Sequence, residues 1–86
     1  MPYIKIEQRE KIEHKDSITT LIENINTEGD LNFTITRLCH EFLIKKGEKY
    51  STYNSIIGVL ECAKLELYRR KVAHYEDGKI RENGDV

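Results

Sequence analysis

The densest chemistry in this chain is Tyr68-Arg69-Arg70-Lys71, followed by His74 and Tyr75. An arginine fork grips phosphate oxygens at two points, and a tyrosine face stacks on a base. On a helix Arg69 and Arg70 point about 100° apart, so only one of them joins a given pocket. The plainer role for these cations is pairing with acidic neighbours near a helix C-terminus, where positive charge is favoured anyway.

A second polar set comprises Asn32, Thr36, Arg37 and His40, with Tyr53 and Asn54 further on. Asn32, Thr36 and His40 recur at i, i+4, i+8 and share one helical face beside an apolar stripe. Such a line faces a ligand cavity or a subunit interface, or else is a solvated flank.

Other combinations fail on geometry. Cys39-His40-Glu41 are adjacent, so on a helix they diverge by about 100° per step and do not chelate one ion. Neither a CxxC nor an HxxxH spacing is present. Cys39 lies near the predicted packed face, where a thiol is inert. His14 and His74 stand isolated among charged residues, and Glu61, Glu66, Glu76 and Asp77 lack the apolar enclosure that raises a carboxylate for acid catalysis. No glycine-rich phosphate loop occurs. The expectation is therefore no catalytic residue, no metal and no cofactor, with a nucleotide hydrolase the least favoured reading.

The elements that must position these residues read as helices. Residues 1–16 begin with a short extended arm and turn charged, with a helical turn near Glu7–Ile12. Asp16 or Ser17 is placed to cap a helix over 17–26, whose Ile18, Leu21, Ile22 and Ile25 recur at i, i+3, i+4, i+7. Asn26-Thr27-Glu28-Gly29-Asp30 stops it, and Asp30 can cap a second helix over 30–46. There Leu31, Ile35, Leu38 and Phe42 form the stripe, and Lys45-Lys46-Gly47 suits the carbonyl end.

Ser51 or Thr52 is expected to cap the longest helix, 52–74, with the stripe Tyr53, Ile56, Ile57, Leu60, Ala63, Leu67. Folded back on the preceding helix, it would set Phe42 opposite Ile56, Leu38 opposite Leu60, Ile35 opposite Ala63 and Leu31 opposite Leu67. A second apolar line, Val59, Cys62, Leu65 and Val72, lies on another face, and apolar residues on most sides call for burial on most sides. A helix of some 22 residues is ~33 Å long, more than one small bundle covers, so part of it is assigned to a second subunit across a two-fold axis. Gly58 in its middle costs about 1 kcal/mol relative to Ala, which a close helix crossing would explain. Residues 75–86, with Gly78 and Asn83-Gly84, read as a loop or arm.

Composition bounds the rest. Eighty-six residues make one domain, and so short a chain often needs a metal, disulfides or a partner subunit for comfortable stability. Two cysteines are too few for a secreted disulfide scaffold, which indicates a reducing compartment. No run approaches signal-peptide or membrane-span length, so a cytosolic protein is expected, with no membrane partner. Fourteen basic against fifteen acidic residues give a net charge of −1, which disfavours nucleic acid as a partner.

The chain resembles an uncharacterised family of small phage and bacterial proteins. The resemblance is carried by Pro2-Tyr3-Ile4-Lys5, by Gly29-Asp30-Leu31-Asn32 with Ile35-Thr36-Arg37-Leu38, and by the run from Gly58 to Glu66. Tyr68-Arg69-Arg70, Tyr75-Glu76-Asp77 and Glu82 to Val86 complete it, nearly end to end. The family pattern often has proline where this chain has His74, which argues against a role for that histidine. The resemblance implies a phage setting in a bacterial cytoplasm, where small helical homo-oligomers sequester nucleotide signals of bacterial immunity in pockets between subunits.

Together these readings give an all-α protein: an antiparallel helical hairpin with a shorter N-terminal helix and a long C-terminal helix used in oligomerisation. It would bind a small anionic, nucleotide-like ligand without transforming it. Arg37 and Arg69 would neutralise phosphate, Tyr53 or Tyr68 would stack on a base, and Asn32 or Asn54 would bond ribose or a base edge. The alternative is a protein-interaction module, such as a phage inhibitor that docks on a host protein.

Overall fold

The helical periods are realised nearly throughout. In a computed structural model that describes residues 1–86, the elements are α1 (Ile6–Ile12), a 3-10 turn (His14–Asp16), α2 (Ser17–Ile22), α3 (Glu28–Lys46), α4 (Tyr50–Leu67), a π-helical segment (Tyr68–Val72) and α5 (Ala73–Asn83). No strand is present, and the all-α class holds. The chain divides into two units, one of residues Tyr3–Asn54 and one of Ser55–Val86 with Met1–Pro2.

In the first unit, α1 is pinned at its start by the Gln8 side chain, whose Oε1 accepts from the Lys5 amide at 3.1 Å, and by the Arg9 guanidinium, which donates to the Ile4 carbonyl at 2.9 Å. It is followed by two consecutive residues with left-handed backbone, Lys15 and Asp16, both at φ 56°. Asp16 sits at the N-cap of α2 as expected, but its left-handed backbone aims the carboxylate elsewhere and no side-chain cap bond forms. The Ser17 hydroxyl donates back to the Ile12 carbonyl instead. The helix expected over 17–26 ends at Ile22, and single turns through Asn24 and Ile25 carry the chain on.

The start of α3 shows why it begins two residues before the expected position. Thr27, not Asp30, is the N-cap: its Oγ1 accepts from the Asp30 amide at 3.0 Å. Asp30 Oδ2 reaches back to accept from the Asn26 and Thr27 amides at 3.0 and 3.2 Å. The two side chains thus satisfy the free amides reciprocally, as a capping box does. The other end closes as the residues dictate: Gly47, at φ 98°, takes a backbone that a side chain would resist, and its amide bonds the Leu43 carbonyl at 2.7 Å.

In the second unit, the part of α4 from Ser55, the π segment and α5 follow without a break, Leu67, Val72 and Ala73 all holding right-handed helical dihedrals. The loop or arm expected from Tyr75 is corrected here: the chain stays helical to Asn83. Gly78 alone does not end a helix when no proline follows and when Lys79 pairs with Glu82 at 3.2 Å and lies 5.6 Å from the centre of the Tyr75 ring. The stop comes at Asn83-Gly84, where Gly84 turns to φ 88°. At the other end, α4 starts at Tyr50, ahead of the expected caps Ser51 and Thr52, with the Thr52 and Tyr53 amides both bonded to the Lys49 carbonyl.

Packing departs most from expectation. No apolar side chain is buried, and Thr52 is the one buried residue. Leu31, Ile35, Leu38 and Phe42 of α3 are exposed, as are Tyr53, Ile57, Leu60 and Leu67 of α4, while Ile25, Leu43 and Ile56 are only half-buried. The stripes assigned to a shared core therefore keep their apolar surface open in the single chain.

Candidate functional site

Helix α3 carries two of the six candidate ligand residues. The Thr36 hydroxyl donates to Asn32 Oδ1 at 3.3 Å, the contact expected of an i, i+4 pair on one face. One turn on, the Arg37 guanidinium holds the Glu41 carboxylate at 3.0 Å, with both side chains more than half exposed. Such a pair is worth a few tenths of a kcal/mol and leaves the arginine able to exchange partners. Tyr53 and Asn54 lie exposed in the first turns of α4.

The other two, Tyr68 and Arg69, lie in the second unit at the start of the π segment. Arg69 pairs with Glu66 at 3.0 Å, and Glu66 is the more covered partner, at 23% side-chain exposure. The Tyr68 hydroxyl donates to Glu76 Oε1 at 2.8 Å. That hydrogen bond, followed by the Glu76 charge itself, raises the Tyr68 pKa above the ordinary phenol value, because ionisation would set a phenolate against a carboxylate.

The six residues are thus divided, Asn32, Arg37, Tyr53 and Asn54 in one unit and Tyr68 and Arg69 in the other. The plainer sequence expectation for the Tyr68–Lys71 cluster, arginine paired with an acidic neighbour, describes Arg69, and Arg37 lies on an exposed flank paired with Glu41. Two recesses lie elsewhere, one lined by Glu7, Glu10, Lys11 and His14, the other by Glu13, Asp16, Ile18 and Thr19. Both belong to the N-terminal segment, and neither contains any of the six. The first had a legible signal, since Glu7, Glu10, Lys11 and His14 stand at i, i+3, i+4, i+7. No group of three or more His, Cys, Asp or Glu side chains is placed to hold a metal ion. No helix is long and apolar enough to cross a membrane.

A further line on α3 went unread in the sequence: Phe33, Arg37, His40 and Ile44, at i, i+4, i+7, i+11, share one face. Phe33 is 64% and Ile44 71% exposed, so two large apolar side chains flank the arginine and the histidine in solvent. Its signal was the spacing, masked because Phe33 and Ile44 fall outside the Leu31–Ile35–Leu38–Phe42 stripe.

A family model described as a domain of unknown function (DUF6899) matches residues 1–86. No curated protein and no solved structure matches the chain.

Proposed function

Because the chain belongs to that family of unknown function, we propose from its own residues that it is a non-catalytic binding protein that works as a homo-oligomer. Crevices shared between copies would hold a small anionic, nucleotide-like ligand. The observation that carries this is the absence of any buried apolar side chain in a chain rich in leucine, isoleucine and tyrosine. Ordering each residue costs about 1–2 kcal/mol of backbone entropy, and burial of apolar surface at ~25 cal/mol per Å² is the main term that offsets it. A chain that buries so little by itself obtains that term from other copies. In the assembled form α3 and α4 supply the arms of the antiparallel hairpin, and the long α4–α5 helix supplies contacts between subunits.

Arg37 and Arg69 support the ligand class, being exposed guanidinium groups paired with carboxylates. Tyr53 and Tyr68 offer ring faces to a base, and Asn32 and Asn54 offer amides to ribose. The bacterial cytoplasm and a phage setting belong to the same reading. Calorimetry of the full-length chain against cyclic nucleotides and ADP-ribose-type nucleotides tests it. Stoichiometric binding to one member is expected, and a well-folded oligomer that binds none overturns the ligand assignment.

A second reading is favoured by the Phe33–Arg37–His40–Ile44 face. Aromatic and arginine side chains exposed together are the composition of a protein-binding hot spot. On this reading the chain docks on a host protein. Capture of one stoichiometric protein from host lysate, lost in Phe33→Ala, supports docking, whereas a nucleotide released on heating the purified protein supports the first reading.

A further inference from the structure

We infer that two copies of this chain meet antiparallel along the face that carries Gly58, Glu61 and Leu65 of α4 and Arg69 at the start of the π segment, about a two-fold axis passing beside Leu65. The inference rests on the homo-oligomer reading above and assigns it a surface and a register. The four residues follow one another at spacings of three, four and four, the recurrence of a helix–helix seam. This face differs from the Tyr53–Ile56–Leu60–Leu67 stripe, since Leu65 lies about 140° round the helix from Leu60.

The face is open and can be approached closely. A Cβ built on Gly58 would meet no other heavy atom within 4 Å, Leu65 is 54% exposed, and the neighbouring Cys62 is exposed. Small residues at Gly58 and Cys62 let a second backbone come near, which accounts for a glycine that otherwise only weakens the helix.

Charge identifies the occupant as a second copy. About an axis at Leu65, residues equally far before and after it come to the same height on facing helices. Glu61 stands four residues before and Arg69 four after, so each Glu61 meets an Arg69 of the other copy, and Leu65 meets its own counterpart. An acid and a base equidistant from one apolar residue are what a self-complementary isologous contact requires. The rival register, with Leu65 over Gly58, matches size but places the two Glu61 carboxylates together at the axis, where like charges repel. In the single chain Glu61 pairs with Lys64 and Arg69 with Glu66, each at 3.0 Å, and Glu61 and Arg69 are exposed enough to turn across a seam.

The test uses the full-length chain carrying Cys39→Ser and Cys62→Ser. Because a disulfide needs Cα atoms within about 7 Å, L65C cross-links on oxidation only in the proposed register, and E61C only in the rival one. A covalent dimer with L65C and none with E61C is expected. In the native-cysteine chain, Glu61→Arg is expected to weaken assembly about tenfold, and adding Arg69→Glu to restore it. Sedimentation that shows an oligomer, with no L65C cross-link or with E61C cross-linking instead, overturns the seam and leaves the oligomer reading standing. A single-copy species at micromolar concentration overturns both.

Discussion

The Tyr68 hydroxyl bonds the Glu76 carboxylate at 2.8 Å across eight residues of helix. In a regular α-helix two positions eight apart sit about 80° out of line, whereas seven apart they nearly coincide. The π-helical turn over Tyr68–Val72 takes up one extra residue, so position 76 falls where position 75 otherwise would. The same rotation carries Val72 and Tyr75 round toward the side of Ile56, Leu60 and Leu67. The π segment thus phases the faces of α4 and α5.

Deleting Arg70 should let the π segment relax to regular α-helix. Helical content by circular dichroism should change little, and α5 should keep its phase relative to α4, because Tyr68 and Glu76 then stand seven residues apart in a regular helix. The Tyr68–Glu76 bond should then survive, visible as a Tyr68 that still ionises above the ordinary phenol value. A deletion variant in which Tyr68 falls back to the ordinary phenol value contradicts the phasing role.

The wild-type chain should show the raised Tyr68 pKa directly. Since the folded Tyr68 pKa is raised, the stability it contributes is complete below the ordinary phenol pKa and is lost as pH rises through the higher folded value. Ultraviolet-monitored titration should resolve Tyr68 ionising above the ordinary phenol value, and Glu76→Gln should move it back toward that value.

The α3 cap makes the opposite prediction at acid pH. The Asn26 backbone amide first, then the Thr27 hydroxyl and Thr27 amide, lower the Asp30 pKa. Stability from this group is present above the ordinary carboxylate pKa and is lost as pH falls through the lower folded value. Thr27→Ala should cost about 1 kcal/mol in urea unfolding at neutral pH. Asp30→Asn should flatten the acid limb of the pH–stability curve; an unchanged limb would place the titration elsewhere.

Lys15 holds a left-handed backbone that costs a side-chain-bearing residue about 1–2 kcal/mol. Lys15→Gly removes that strain but adds unfolded-state entropy, so a net gain of roughly 0.5 kcal/mol in urea unfolding is expected. Lys15→Val, β-branched and less tolerant still, should destabilise, and equal stability of the two variants would show that the kink is absent in solution.

If Arg69 serves phosphate, its carboxylate partner competes with the ligand. Glu66→Gln should tighten binding of whichever nucleotide the calorimetry identifies, and Arg69→Ala should weaken it by about tenfold. Identical affinities in both variants would remove Arg69 from the site.

Periodicity alone assigned helices to Leu31–Phe42 and Tyr53–Leu67, because a local hydrogen-bonded ladder needs only a compatible spacing and few breakers. Gly47 and Asn83-Gly84 stop helices where they stand, the second read as a turn but not as the end of α5. The Thr27–Asp30 cap and the left-handed Lys15–Asp16 pair were missed, since both depend on which of several short polar side chains reaches which amide. Whether Asn32, Arg37, Tyr53, Asn54, Tyr68 and Arg69 share a site was never in the periodicity, because spacing orders residues on one element and says nothing of two.

Unaided, the sequence determined the helical class and the helix stop at Gly47, both of which follow from short-range backbone chemistry. Only the tertiary structure decided that the apolar stripes stay open in one copy and that a π turn rephases the last helix. Those outcomes depend on competition between partners distant in sequence, or on a one-residue change in helical register, and no local pattern encodes the result.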